Sequence, residues 1–151
     1  FNESDIIINK KISQIYKTNI TPVICIGESL IERNNKLEYD VISNQLKCIF
    51  NGIDINSDKD IIIAYEPVWA IGTGESANME IIDSMHSFIK NIIEKIIPNN
   101  RNIYLLYGGS VDLSNSKKII ELDNVDGFLI GSSSLKPDVF YGIYKNLKGE
   151  N

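Results

Sequence analysis

The most constraining feature of this chain is a set of short apolar runs that do not alternate with polar residues. Val23-Ile24-Cys25-Ile26, Ile61-Ile62-Ile63-Ala64-Tyr65, Ile103-Tyr104-Leu105-Leu106-Tyr107 and Gly127-Phe128-Leu129-Ile130 are apolar at nearly every position. A strand with one wet face alternates; a parallel strand covered on both faces reads as a continuous run. Between the runs the period changes. Residues 39–50 place Val41, Ile42, Leu46, Ile49 and Phe50 on one helical stripe. Residues 79–97 read as a longer helix stopped by Pro98, residues 113–121 as a short one and residues 137–147 as a last one. An opening helix is predicted near residues 4–16. Strand–helix units at a spacing of roughly 35 residues predict right-handed βαβ crossovers and a parallel sheet.

The arithmetic of such units bounds the architecture. A closed eight-stranded α/β barrel takes ~250 residues, and this chain of 151 has room for about half of one. It opens at Phe1, inside a helix and without Met. The expectation is therefore a processed, truncated or partial sequence: residues 1–151 as a single partial domain, four βα units with one leading helix. A half barrel would expose two unpaired strand edges and an open core.

Composition narrows the function classes. Apolar residues make up 43% and charged residues 23%, as in an ordinary globular domain. A formal net charge of −5 and the lack of a basic stripe argue against nucleic-acid or anionic-membrane partners. No apolar run approaches the ~18 residues of a membrane span. Cys25 and Cys48 are far apart and form no CxxC pair. Two reduced, buried thiols are the simpler reading, with a disulfide or redox pair as the alternative. His86, the only histidine, falls within a predicted helix and has no neighbours at metal-ligand spacing. It reads as a structural residue, and neither a metal nor an organic cofactor is expected.

The densest chemistry lies in residues 64–74, Ala64-Tyr65-Glu66-Pro67-Val68-Trp69-Ala70-Ile71-Gly72-Thr73-Gly74. An apolar strand ends abruptly in the carboxylate of Glu66. In parallel barrels the working residues sit at that carboxyl end of the strands. Pro67 restricts the residue before it and stiffens one hinge. Val68, Trp69, Ala70 and Ile71 form a mostly apolar tip. Gly72 and Gly74, flanking Thr73, permit backbone angles and close approach that a Cβ would obstruct. The pattern describes a base beneath a loop able to exclude water. Taken alone, Glu66 also fits a solvated carboxylate, and Gly108-Gly109-Ser110 also fits a plain tight turn.

Residues 64–74 resemble the catalytic strand and lid loop of the triosephosphate isomerase family. The likeness extends along the chain. Phe1-Asn2-Glu3-Ser4-Asp5 is similar to the segment after that family's fourth strand, with Asn2 where Gly is usual. Pro22-Val23-Ile24-Cys25-Ile26-Gly27-Glu28 is similar to the fifth strand. Tyr107-Gly108-Gly109-Ser110-Val111 is similar to the loop after strand seven, and residues 126–135 to the loop after strand eight. The resemblance implies a (β/α)8 barrel of which this chain is the C-terminal half, strands five to eight.

That resemblance also implies roles. Glu66 would be the base that moves a proton between adjacent carbons of a triose phosphate. Gly72, Ser110, Gly131 and Ser132 would offer N–H groups to the substrate phosphate. Glu28 would hold Trp69 in the open lid; Tyr107 and Ser110 would bond the closed one, with Gly74 the partner of Ser110. Ser132 stands where the family has a second Gly. Serine keeps the N–H, but a left-handed backbone there would cost roughly 1–2 kcal/mol. Glu75 replaces a common Lys at the far hinge. A lysine after strand one and a histidine after strand four would both lie upstream of Phe1. The implied enzyme interconverts dihydroxyacetone phosphate and D-glyceraldehyde 3-phosphate, in glycolysis and gluconeogenesis, as a cytoplasmic homodimer; a plastid copy would require a transit segment. The chain alone is expected to be inactive. Two other readings compete: a non-catalytic phosphate-binding half-barrel scaffold, and another phosphate-binding barrel of amino-acid biosynthesis. The first needs no base, and the second lacks the Glu-Pro-Val-Trp run.

Overall fold

The computed structural model describes residues 3–54, 59–70, 77–98 and 102–149. Four parallel strands lie in chain order: β1 (Val23–Ile26), β2 (Ile61–Tyr65), β3 (Ile103–Tyr107) and β4 (Gly127–Phe128). The register pairs Cys25 with Ala64, Ala64 with Leu106, and Tyr107 with Phe128. Each crossover carries a helix: α3 (Glu38–Phe50), α4 (Met79–Ile96) and α5 (Ser116–Ile120). Ahead of β1 lies α1 (Asp5–Ile15), which packs on α3, and the chain closes with α6 (Pro137–Lys148).

The sheet faces differ sharply. Ile24 and Ile26, Ile61 and Ile63, Tyr65, Ile103, Leu105 and Tyr107 point to the helices and are buried. On α4 they meet Ile82, Met85, Ile89 and Ile93, spaced three and four apart on one stripe. The opposite face carries Val23, Cys25 and Tyr104, all exposed, with Ile62 and Leu106 half-buried and only the small Ala64 buried between its neighbours. The strands were expected to be covered on both faces; within this chain only the helix side is. The apolar character of the other face is nevertheless present in the sequence, which is why the runs fail to alternate.

β1, β2 and β3 span the residues that their apolar runs predict. β4 is shorter than the run to Ile130 suggested, ending at Phe128. α5 likewise begins at Ser116 rather than 113, because Asp112 first makes a turn, accepting from the N–H groups of Ser114 (2.7 Å) and Asn115 (3.1 Å). One helix was not anticipated, the five-residue α2 (Leu30–Asn34). Ser29 and Glu32 form its capping box: the Glu32 carboxylate accepts from the Ser29 N–H (2.7 Å), and the Ser29 hydroxyl accepts from the Glu32 N–H (3.3 Å). Lys36 ends it with φ 59°, the one non-glycine residue in the left-handed region among those described.

Candidate active site

Glu66 follows directly on β2. Its N–H donates to the Ile26 carbonyl (2.7 Å), and Gly108 N–H donates to the Tyr65 carbonyl (2.8 Å), so it is pinned between the ends of β1 and β3. Two glycines make that position possible. A Cβ on Gly27 would lie 1.8 Å from the Glu66 carbonyl oxygen, and one on Gly108 would lie 2.5 Å from Glu66 Cγ. The side chain lies over the gap that Gly108 leaves, half-buried at the mouth of the open face. Gln45 of α3 holds the β1 side. Its amide accepts from Gly27 N–H (3.1 Å) and donates to the Gly27 carbonyl (3.0 Å), copying a strand neighbour.

The electrostatics suit a proton acceptor. Burial raises the Glu66 carboxyl above its ordinary value, while a hydrogen bond from the Cys25 thiol pulls the other way. Cys25, exposed on the open face but with its thiol set against Glu66, is pushed up to about 11, first by the partial desolvation of the thiol and then by the neighbouring Glu66 charge. Both cysteines are free, but neither is buried as expected: Cys25 lies on the uncovered face of the sheet and Cys48 is half-buried on α3. A carboxylate whose affinity for protons is raised toward working pH is what a general base requires.

The residues after Glu66 turn away in a 3-10 turn, Val68–Ala70. Pro67 and Ala70 are buried, Val68 is exposed, and Val68 N–H donates to the Glu28 carbonyl (3.0 Å). Trp69 Nε1 donates to Glu28 Oε1 (2.9 Å), and Ser110 Oγ donates to the Ala70 carbonyl (2.8 Å). Tyr107 OH accepts from Ala77 N–H (3.3 Å). The Trp69–Glu28 bond is the one expected of the open lid, whereas the bond described for Ser110 is to Ala70 rather than to the Gly74 named for the closed one. Ile71, Gly72, Thr73, Gly74 and Glu75 lie outside the described residues, as do Phe1 and Asn2, so the expected Ser110–Gly74 pair does too.

The proposed anion loops meet beside this turn. Ser132–Leu135 forms a second 3-10 turn whose first N–H groups follow Gly131. Ser133 Oγ donates to the Val111 carbonyl (2.8 Å), tying the loops after β3 and β4 together, and Asn115 Nδ2 donates to the Ser110 carbonyl (3.1 Å) within the first of them. Ser132 is not left-handed, so the strain that its serine would carry in that conformation is not incurred. A cleft of about 390 Å³ borders these loops, lined by residues including Ser114, Ser132, Ser133 and Lys136.

His86 lies on the other side of the sheet, fully buried, its Nδ1 2.9 Å from the Asn124 carbonyl and its ring packed against Tyr65 and Tyr107. Burial lowers its proton affinity. It is a structural residue and does not reach Glu66's face. No group of three or more His, Cys, Asp or Glu among the described residues could hold a metal, and no described helix is long and apolar enough to cross a membrane. Sequence reasoning did not pick out Gln45 or Arg33; both act through tertiary contacts with no local signature.

A half-buried carboxylate at the carboxyl end of a parallel strand, beside the loops that follow the next two strands, is the arrangement of an α/β-barrel enzyme. The family model described as triosephosphate isomerase matches residues 1–147, and the chain belongs to that family. It is 40% identical over 145 residues to a triosephosphate isomerase of Alkaliphilus oremlandii, covering 95% of this chain and 58% of the relative. It is 45% identical over 137 residues to that of Francisella tularensis subsp. mediasiatica, covering 90% and 54%. The crystal structure of triosephosphate isomerase from Bartonella henselae matches with a TM-score of 0.84 at 33% identity, covering 97% of this chain and 58% of that one. The chain thus spans rather more than half the length of the relatives it matches, and its four βα units share the fold of that barrel.

Proposed function

We propose that this chain supplies the base and the phosphate loops of a triose-phosphate isomerase. The observation that carries the reading is the placement of Glu66, aimed over Gly108 into the mouth with its proton affinity raised by burial. Glu66 takes the proton from the hydroxymethyl carbon beside the carbonyl of dihydroxyacetone phosphate. The electron pair left behind forms the enediolate, and a proton then passes from the hydroxyl oxygen on that carbon to the oxygen of the former carbonyl. The protonated carboxyl then returns a proton to the neighbouring carbon, giving D-glyceraldehyde 3-phosphate with no net redox change. Backbone N–H groups of Ser110, Gly131 and Ser132 hold the phosphate dianion, with Gly72 as a further donor. Nothing in these steps draws on a metal or organic cofactor.

The reaction also needs a group that polarises the substrate carbonyl. His86 is behind the sheet, so no described residue at the mouth has that role. The reading is therefore of residues 1–151 as a partial domain, inactive alone and complemented by the remaining strands of a barrel that works as a cytoplasmic homodimer; a plastid location is the alternative. Replacing Glu66 by Gln in the complete barrel should lower isomerisation by about 10²–10⁴-fold. Affinity for a phosphate-ester analogue should barely change. Unchanged turnover would remove Glu66 from the mechanism, and triose-phosphate turnover by this chain alone would overturn the incompleteness.

A further inference from the structure

Glu28 is fully buried, yet its two oxygens are treated very differently. Oε1 accepts from Trp69 Nε1 (2.9 Å), Arg33 Nε (2.7 Å) and Tyr65 OH (3.2 Å), while Oε2 has no partner. Arg33 touches every member of this group. Its second nitrogen donates to Tyr65 OH (3.1 Å), and its guanidinium carbon lies 5.3 Å from the Trp69 ring centroid. A single cation therefore counter-charges the acceptor of the Trp69 bond and stacks on the ring of the donor.

This arrangement has an asymmetry in it. If Trp69 leaves, Glu28 keeps Arg33 and Tyr65, and no unpaired charge is stranded in the interior. If Arg33 leaves, the buried carboxylate has only neutral donors. It must then turn to water or take up a proton, and either change dissolves the site at which Trp69 docks. Arg33 is held in place for this by α2. That helix is only five residues long, and the Ser29–Glu32 capping box fixes its first turn, so that the side chain folds back over Glu28.

We propose that Arg33 is a positioning residue for Trp69: by supplying the counter-charge to Glu28 it docks the residues that follow the base. The inference rests on the reading of Glu66 as that base only for its functional meaning. The docking itself is measured without substrate, so its failure is separate from any failure of the isomerase reading.

Trp69 is the only tryptophan in the chain, so its fluorescence reports on this cluster alone. The experiment is acrylamide quenching of the 151-residue chain without ligand, with far-UV circular dichroism to confirm folding. Arg33→Gln should raise the quenching constant by about threefold, and Arg33→Lys, which keeps a charge beside Glu28, should recover most of that change. Lys90→Gln, which removes the helix pair between half-buried Lys90 and exposed Glu94, should leave quenching unchanged. Unchanged quenching in folded Arg33→Gln overturns the proposal, as does a folded Arg33→Lys chain quenched as strongly as Arg33→Gln. Should Arg33→Gln fail to fold, the double variant Glu28→Gln/Arg33→Gln, which removes the stranded charge, should fold again; its failure to do so also overturns the proposal.

Discussion

Glu66 Cγ lies where only a glycine at position 108 can pass it: a Cβ there would sit 2.5 Å away, and 3.1 Å from Oε1. Gly108 is itself held by its N–H bond to the Tyr65 carbonyl, so the backbone cannot simply retreat. The carboxylate's aim is thus set by the missing side chain of the neighbouring strand.

Gly108→Ala should therefore shift the base without altering its chemistry. A displacement near 1 Å is expected to reduce turnover of the complete barrel by about 10²-fold. The KM for triose phosphate should change far less, since the phosphate loops are untouched. Steady-state kinetics check this, and a wild-type kcat would show that Glu66 does not need the gap.

Glu66 also predicts a pH dependence of stability. Burial raises its folded value above the ordinary 4.5, so the folded chain holds the proton more tightly than the unfolded one. The stability this contributes is complete below the ordinary value and is lost as pH rises through the folded one. Glu66→Gln has no such dependence. Urea unfolding from about pH 4 to about pH 8 should show the variant gaining on wild type as pH rises, then levelling off. A pH-independent difference would mean that Glu66 ionises as easily folded as unfolded.

Lys36 ends α2 at φ 59°, a conformation that costs a side chain energy and costs glycine almost none. Lys36→Gly should stabilise the chain by about 1 kcal/mol. Equilibrium unfolding measures it. A loss of stability would show that the lysine side chain makes good the strain through contacts of its own.

Much of this was legible before any coordinates, for physical reasons that differ by residue. The three longer strands end where their apolar runs meet Gly27, Glu66 and Gly108, because a buried parallel strand leaves an unbroken trace. The position of Glu66 at the carboxyl end of β2 was legible because it interrupts such a run. α2 was missed although Ser29-Leu30-Ile31-Glu32 carries the capping-box spacing; one turn of helix has too little periodicity to register. Gln45 and Arg33 left no signal at all. Gln45 meets Gly27 across 18 residues and Arg33 meets Tyr65 across 32, and the partners of such contacts are chosen by the fold. The conformation of Ser132 was equally hidden, since a serine in place of glycine does not declare its backbone angle.

Side chains alternate along β2, and the consequence falls on Tyr65, Glu66 and Pro67. Tyr65 faces the helices and Arg33, Glu66 faces the mouth, and Pro67 starts the turn that carries Trp69. Slipping this strand by a single residue would send the phenol to the open face and strand the carboxylate in oil. Insertions and deletions are consequently forbidden between Ile61 and Pro67, and a lineage that varies its loop lengths must spend that freedom elsewhere.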